Sequence, residues 1–316
     1  MLIHSDINQI PAFRFPVVTS GTFDGVHIGH QSIFKELVAE AKKNQGESVV
    51  LTFDPHPRLV LNPGDASLTL LTTLEERIRK IQKLGVDHLI IIQFTKSFSE
   101  LSSSVFLDDY LLKKIRTKML VVGHDHHFGK NREGKYELLK EVAPSLGFEI
   151  REIKAAEKNH IPVSSSLIRK ALHQGDIRSA TEMLGEPYAL HAEIVEGHKI
   201  GRSLGFPTAN LMIKNKQKLI PSNGVYAVSC QIQGYEKIFH GMLNIGFRPT
   251  FSEEQIRNIE LHIIEFNDII YGKEISVYFN HYLRNEKKFS GTDALKAQLE
   301  SDKINTLKFF ETSDIG

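Results

Sequence analysis

The chain of 316 residues has one cysteine, Cys230, which excludes an internal disulfide and any metal site built from several thiolates. Its place in an apolar, strand-like run suits a buried structural residue in a reducing compartment. An excess of charge of one sign is missing too: 39 Lys and Arg stand against 38 Asp and Glu, a formal net charge of +1. No global field draws the chain to nucleic acid or to an anionic membrane, so any anion binding must be local. No apolar run approaches membrane-spanning length, and the opening Met1-Leu2-Ile3-His4-Ser5-Asp6 lacks a basic region followed by an apolar stretch. The expectation is a soluble, cytoplasmic protein. Two common nucleotide signatures are absent as well. No G-x-G-x-x-G follows a strand-like run, and residues 123–131 depart from a P-loop: five residues separate the glycines, and Asn131 follows Lys130. Dinucleotide hydride transfer and P-loop NTPase chemistry lose their usual support.

What is present divides the chain in two. A length of 316 residues exceeds the usual single core. Over the first half, strand-like runs at 17–20, 48–53, 88–94, 119–123 and 148–153 alternate with helical patterns at 30–43, 74–84, 104–115 and 135–146, the sign of a parallel sheet covered by helices. This predicts an α/β domain with a doubly wound parallel sheet, whose ligands lie at the carboxyl ends of the strands. Two short helical segments, 165–174 and 177–184, end at Gly185-Glu186-Pro187, a stop signal that sets the expected domains at 1–185 and 186–316. Beyond it, strand-like runs at 191–195, 225–233, 238–245, 259–266 and 275–282, then a helix at 294–307, predict a mainly antiparallel β-barrel with a terminal helix.

Residues 21–30 read G-T-F-D-G-V-H-I-G-H and sit where a strand turns into a helix. A helix start presents unpaired N–H groups and a positive dipole end, while Gly21, Gly25 and Gly29 allow close backbone approach. His27 and His30 share one side of the first turn, where both can donate to an anion. A histidine pair also suits a metal, with His124, His126 and His127 further along, although no H-E-x-x-H or cysteine-bearing spacing accompanies it. Ser164, Ser165 and Ser166 begin a second helix start, and Arg169 follows one turn later, placed to clamp part of a polyphosphate. In the second half Gly197, Gly201 and Gly205 punctuate a basic loop that runs into Phe206-Pro207-Thr208-Ala209-Asn210. Thr208 and Asn210 offer neutral oxygens to a Mg²⁺ ion that balances its charge on nucleotide phosphates; the same tetrapeptide also reads as a plain turn. On the run 259–266, Glu260 shares a face with His262, and Glu265 shares the opposite face with Leu261 and Ile263.

Taken in order, these motifs resemble the bifunctional riboflavin kinase/FAD synthetase family of bacteria. The resemblance runs from about Gly21 to about Asp302. It rests on residues 21–30, T-F-D-P-H-P at 52–57, G-H-D-H-H-F-G at 123–129, S-S-S-L-I-R at 164–169, G-R-S-L-G-F-P-T-A-N at 201–210, N-I-G-F-R-P-T at 244–250, E-L-H at 260–262, Y-G at 271–272 and R-N-E-K-K-F at 284–289. It implies two reactions. The C-terminal module would transfer the γ-phosphoryl of ATP to riboflavin, with Thr208 and Asn210 holding Mg²⁺-ATP, Gly197, Gly201 and Gly205 covering phosphates, Glu260 accepting the hydroxyl proton and Arg284 near the flavin. The N-terminal module would join FMN to the AMP part of ATP, giving FAD. There His27 and His30 stabilise the transferring phosphate, Ser164, Ser165 and Arg169 hold the leaving pyrophosphate, and Gly21, Phe23, Asp24, Gly29, Asp54 and Asp125 line the nucleotide or flavin pocket. The partners implied are ATP, riboflavin and FMN. Two positions depart from the family pattern. Ser166 and Leu167 replace Thr and Arg in the helix-start motif, shifting the load to Arg169 and Lys170; His126 and His127 replace an aromatic and an Arg, which predicts that FAD synthesis falls more steeply than FMN synthesis as pH rises from about 6 to about 8. Other readings of the same residues are an adenylyltransferase for another phosphorylated substrate and a flavin binder without turnover.

Overall fold

The structure, a computed structural model, describes residues 1–64, 68–123, 136–153, 157–158, 161–197, 201, 204–247 and 257–313. Packing divides the chain into two compact units, Met1–Ser165 and Ser166–Gly316.

In the first unit β1 (Leu2–His4), β2 (Pro16–Ser20), β3 (Glu47–Asp54), β4 (His88–Gln93), β5 (Met119–Gly123) and β6 (Glu149–Ile153) form one sheet in the order β1-β4-β3-β2-β5-β6. Every pairing is parallel, as expected. Helices α1 (Ile28–Lys43), α2 (Pro57–Leu61), α3 (Leu74–Lys83), α4 (Lys96–Ser99), α5 (Ser103–Val105) and α6 (Tyr136–Leu146) lie in the connections, and α5 continues as a π-helical stretch, Phe106–Lys114. All five residues of β2 are buried, because a parallel sheet covered on both faces leaves neither side to water. Successive side chains take opposite faces: Val17, Met119 and Val121 pack beside Phe34 and Leu37 of α1, whereas Val18, Leu120 and Val122 pack beside Phe106, Leu111 and Leu139. The chain moves outward from β2 through β3 to β4, then returns to β2's other side as β5. That reversal is the crevice where sheets of this type hold ligands, and Gly21 and Gly123 stand at its mouth. A short hairpin, β7 (Glu157–Lys158) with β8 (Ile161–Pro162), completes the described strands of this unit.

α7 (Ser165–His173) spans the division between the units. The second continues with α8 (Ile177–Leu184), capped at its start by the Asp176 side chain and stopped by Gly185 at φ +80°, which only glycine adopts freely. β9 (Tyr188–Val195), β10 (Ala209–Met212), β11 (Gly224–Ile232), β12 (Ile238–Phe247), β13 (Arg257–Ile263) and β14 (Glu274–Arg284) close an antiparallel barrel in the order β10-β13-β12-β11-β14-β9. Burial alternates along the whole of β9, the signature of one face packed inward. Tyr226, Leu243, Leu261, Val277 and Phe279 fill the interior. Helix α9 (Thr292–Ser313) packs on β11, β12 and β14 and turns Asp302, Thr306 and Phe310 inward. The strand expected at 259–266 ends at Ile263. Glu265 lies in the turn beyond, at φ +55°, so the face assigned to it from strand parity does not apply.

Candidate active sites

The first site is built on the turn from β2 into α1. Gly21 donates its N–H to Leu51 O (3.0 Å) and accepts from Thr52 Oγ1 (3.0 Å), which ties the turn to β3. The Phe23 ring lies against Gly21, where a Cβ would meet it. His27 is the N-cap of α1, and its Nδ1 accepts the His30 N–H over a long 3.4 Å. An accepting Nδ1 places the proton of a neutral ring on Nε2, so His27 offers an Nε2–H donor. His30 stacks on His27 at 3.6 Å between ring centroids, with 20° between planes, and meets the Phe23 ring edge-on at 5.2 Å. Its Nδ1 is buried without a hydrogen-bond partner among the described residues. Burial, reinforced by His27, holds the His30 pKa well below the usual imidazole value, so the ring is neutral at pH 7. His30 therefore meets a ligand as an oriented neutral dipole, and both rings lie within reach of the positive end of a helix of 16 residues. Gly29 is the second residue of that helix.

Of the other residues expected at this site, Asp24 and Ser165 make bonds that hold the turn itself. Asp24 is 1% exposed, and its carboxylate accepts from the backbone of Leu71 and Thr72 and from the Thr72 hydroxyl. Ser165 Oγ donates to Asp24 O at 2.9 Å, so it too braces the turn. Asp54 ends β3 with its side chain 45% exposed; burial pushes its pKa up against the opposing pull of Arg77, whose Nη2 is 3.8 Å away. Ser164 precedes α7, and Arg169 lies within the part of α7 that belongs to the second unit. Asp125, with His124, His126 and His127, lies outside the described residues. Among those described, no group of three or more His, Cys, Asp or Glu is arranged to hold a metal ion.

The second site is a cleft of about 400 Å³ in the barrel unit, with Gly201, Thr208, Asn210, Asn244, Glu260, His262, Arg284 and Asp302 in its lining. Strand pairing explains why these side chains meet: Glu260 of β13 stands directly opposite Asn210 on one neighbour and Asn244 on the other. Asn258 Nδ2 donates to Glu260 Oε1 and orients the carboxylate. His262, two residues along on the same face, gives its Nδ1–H to Pro207 O at 2.8 Å and packs edge-on against Phe206, fixing the segment that leads into β10. Burial lowers the His262 pKa, and the Pro207 bond opposes that only in part. Glycine is required at two loop positions: a Cβ on Gly197 would collide with the Asn210 amide, and one on Gly201 with the Phe206 carbonyl. Gly205 takes φ +84°. Thr208, Asn210 and Glu260 thus present hydroxyl, amide and carboxylate oxygens to one cleft. That hard-oxygen donor set fits a hard divalent cation that shares phosphates with a nucleotide.

Arg284 is more tightly held than its motif suggested. Its Nε donates to both Asp302 oxygens (3.0 and 3.1 Å), Nη2 to Asp302 Oδ2 (2.7 Å) and Nη1 to Asn285 O (3.0 Å), while Gln298 also donates to Asp302. Sequence reading missed Asp302, Thr72 and Arg77. The i, i+4 pair Gln298 and Asp302 on the inward face of a helix was the only local trace of the first. Thr72 and Arg77 act on partners 24 to 55 residues earlier, which no local pattern shows.

Comparison with known proteins matches residues 11–167 to the FAD synthetase family model and residues 184–310 to that of riboflavin kinase. A bifunctional riboflavin kinase/FMN adenylyltransferase of Listeria monocytogenes is 39% identical over 97% of this chain and 94% of its own. One from Escherichia coli is 36% identical over 93% and 92%. A crystal structure of a macrolide-efflux protein from Streptococcus pneumoniae aligns with a TM-score of 0.88 at 31% identity, covering 96% of this chain and 98% of that one. Among the described residues no helix is long and apolar enough to cross a membrane. With both family models matched in succession and relatives aligned over nearly their full lengths, the chain belongs to the bifunctional riboflavin kinase/FMN adenylyltransferase family.

Proposed function

We propose that the two activities of this family are divided between the two sites described, the barrel cleft phosphorylating riboflavin and the turn at 21–30 adenylylating the FMN so formed. The observation that carries the first assignment is the cross-strand grouping of Glu260 with Asn210 and Asn244 in the cleft that also holds Thr208. Phosphoryl transfer depends on positioning, charge neutralisation and one base to orient the nucleophile. Glu260, oriented by Asn258, takes the proton of the ribityl 5′-hydroxyl as its oxygen bonds to the γ-phosphorus of ATP and ADP leaves. Thr208 and Asn210 would hold Mg²⁺, which when bound would offset phosphate charge. Gly197, Gly201 and Gly205 bring the loop backbone close to the phosphates. Arg284, anchored by Asp302, borders the flavin.

In the second reaction a phosphate oxygen of FMN bonds to the α-phosphorus of ATP, and the bond to pyrophosphate breaks. No protein nucleophile is needed. His27 and His30 donate to the phosphate where negative charge develops, together with the N–H groups that open α1. Ser164 and Arg169 are proposed to hold the leaving pyrophosphate, with Asp54 and Asp125 in the nucleotide or flavin pocket. The activities are taken to divide at residues 185/186, and the buried single thiol suits a cytoplasmic setting. The test is turnover: purified protein with riboflavin, ATP and Mg²⁺, its flavins separated by chromatography, yields FMN and then FAD, and yields neither when the metal is chelated. Stoichiometric flavin retention without ADP or pyrophosphate would leave only a binder.

A further inference from the structure

Residues 21–27 follow a backbone course that side chains resist. Phe23 has φ +48°, Gly25 +86° and Val26 +48°. Only the glycine adopts such angles freely, and a β-branched residue there is an outlier. A conformation of this kind persists where its surroundings over-determine it. Apolar packing supplies one constraint: Phe23 and Val26 are 4% and 2% exposed, in the cluster that contains Phe34 and Leu37 of α1.

Besides the bonds from Thr52 to Gly21 O and from Ser165 to Asp24 O, residues 71–77 hold the polar groups of the turn. Asp24 accepts from Leu71 N–H (3.1 Å), Thr72 N–H (2.9 Å) and Thr72 Oγ1 (3.0 Å), and the same Thr72 oxygen accepts the Gly25 N–H (2.9 Å). The Thr72 hydroxyl is thus used in both directions, donating to residue 24 and accepting from residue 25. Arg77, 4% exposed, sends Nη1 to Thr22 O (2.7 Å) and Nη2 to Phe53 O (3.0 Å), binding the entry of the turn to the end of β3. The clamp is itself anchored, because Thr73 and Glu76 form a reciprocal capping box at the start of α3 and Arg77 N–H bonds to Thr73 O. Both flanks of the strained turn are therefore tied to a single capped helix start.

We propose that Thr72 and Arg77 are positioning residues for FMN adenylylation, holding the 22–26 backbone so that His27 and His30 stay stacked at the start of α1. This rests on the assignment of that histidine pair to adenylyl transfer. Without the Thr72 hydroxyl, Gly25 loses an acceptor and Asp24 a donor inside the core. The turn then relaxes toward ordinary φ values and carries His27, its C-terminal neighbour, away from the phosphate. Such misplacement affects the transition state more than ground-state binding.

The test compares the full-length wild type with Thr72→Val, Thr72→Ser, Arg77→Lys and His27→Ala, following pyrophosphate release from FMN and ATP and, separately, ADP release from riboflavin and ATP. Thr72→Val should lower the adenylylation kcat about 10- to 100-fold with KM values for FMN and ATP within about twofold, the pattern of lost positioning. Riboflavin phosphorylation should be unchanged in the same molecules. Thr72→Ser, which keeps the hydroxyl, should restore the rate, and Arg77→Lys, which reaches one carbonyl instead of two, should fall between. The proposal is overturned if Thr72→Ser is as impaired as Thr72→Val, which would make the methyl group responsible. It is also overturned if Thr72→Val only lowers the unfolding temperature while kcat stays intact. Full adenylylation by His27→Ala would instead refute the histidine assignment itself.

Discussion

Replacing Asp302 with Ala tests how the barrel site is held together. Asp302 is 2% exposed and takes three contacts from Arg284 and one from Gln298. Its loss leaves the guanidinium without its counter-ion at the junction of β14 and α9. Breaking a buried ion pair by removing one partner costs about 3–5 kcal/mol. The Arg284 side chain is 21% exposed and partly recovers water, which puts the expected loss at the low end, about 3 kcal/mol. For a unit of this size that lowers the unfolding temperature by about 6–12 °C, within the stability of an ordinary domain, so the barrel stays folded at 25 °C. The freed Arg284 no longer presents one face to the cleft, and the KM for riboflavin should rise about tenfold, the equivalent of about 1.4 kcal/mol of binding. Differential scanning calorimetry reads the first effect, steady-state kinetics of ADP formation the second, and adenylylation of supplied FMN serves as the internal control. A shift below about 2 °C with riboflavin KM unchanged would mean instead that the pair contributes no more than an exposed one.

Two further outcomes follow from titration. Burial depresses the pKa of His30, and those of His4, His173 and His262 in the same direction. The unfolded chain therefore binds protons first as pH falls, so the stability these groups contribute is present above about pH 6.5 and lost below it, with a slope of up to about 1.4 kcal/mol per pH unit for His30. Denaturant midpoints measured from pH 8 to pH 5 should be flat and then decline, and His30→Asn should decline less steeply; an unchanged slope would contradict the buried neutral ring. Burial also pushes the Cys230 thiol up to about 12, so the single cysteine should react with a thiol reagent only on unfolding, and rapid labelling of the native protein would show that it is accessible.

The sheet and the barrel were legible where pattern is local. Runs such as Val17-Val18 and 119–122, buried on both faces, read as parallel strands, and runs set between Gly, Pro and Asn turns, such as 225–233, read as barrel strands. β1 was not legible, since it has three residues, two of them exposed, and gains its identity from pairing with β4. β10 was hidden because Pro-Thr-Ala-Asn also suits a turn, and its extended form comes from β9 and β13 on either side. The π-helical stretch differs from an α-helix in hydrogen bonding rather than in residue choice, so its pattern read as a plain helix. At the sites, His27, His30, Thr208, Asn210 and Glu260 stood out because their chemistry lies in contiguous motifs. Asp24 and Ser165 stood out for the same reason, yet the structure uses them to brace the turn. Residues that act across the fold, Thr72, Arg77 and Asp302, carry no such mark. The expected steeper fall of FAD synthesis between pH 6 and pH 8 rested on His127, which lies outside the described residues.

The division of the two reactions between two separate sites is tested by following both reactions in Glu260→Gln and in the double variant His27→Ala, His30→Ala. Glu260→Gln should lose riboflavin phosphorylation by about 10²- to 10⁴-fold, the usual contribution of a general base, while still converting supplied FMN to FAD. The double histidine variant should accumulate FMN and form no FAD. Loss of both reactions in either variant, with the fold intact by calorimetry, would contradict the division.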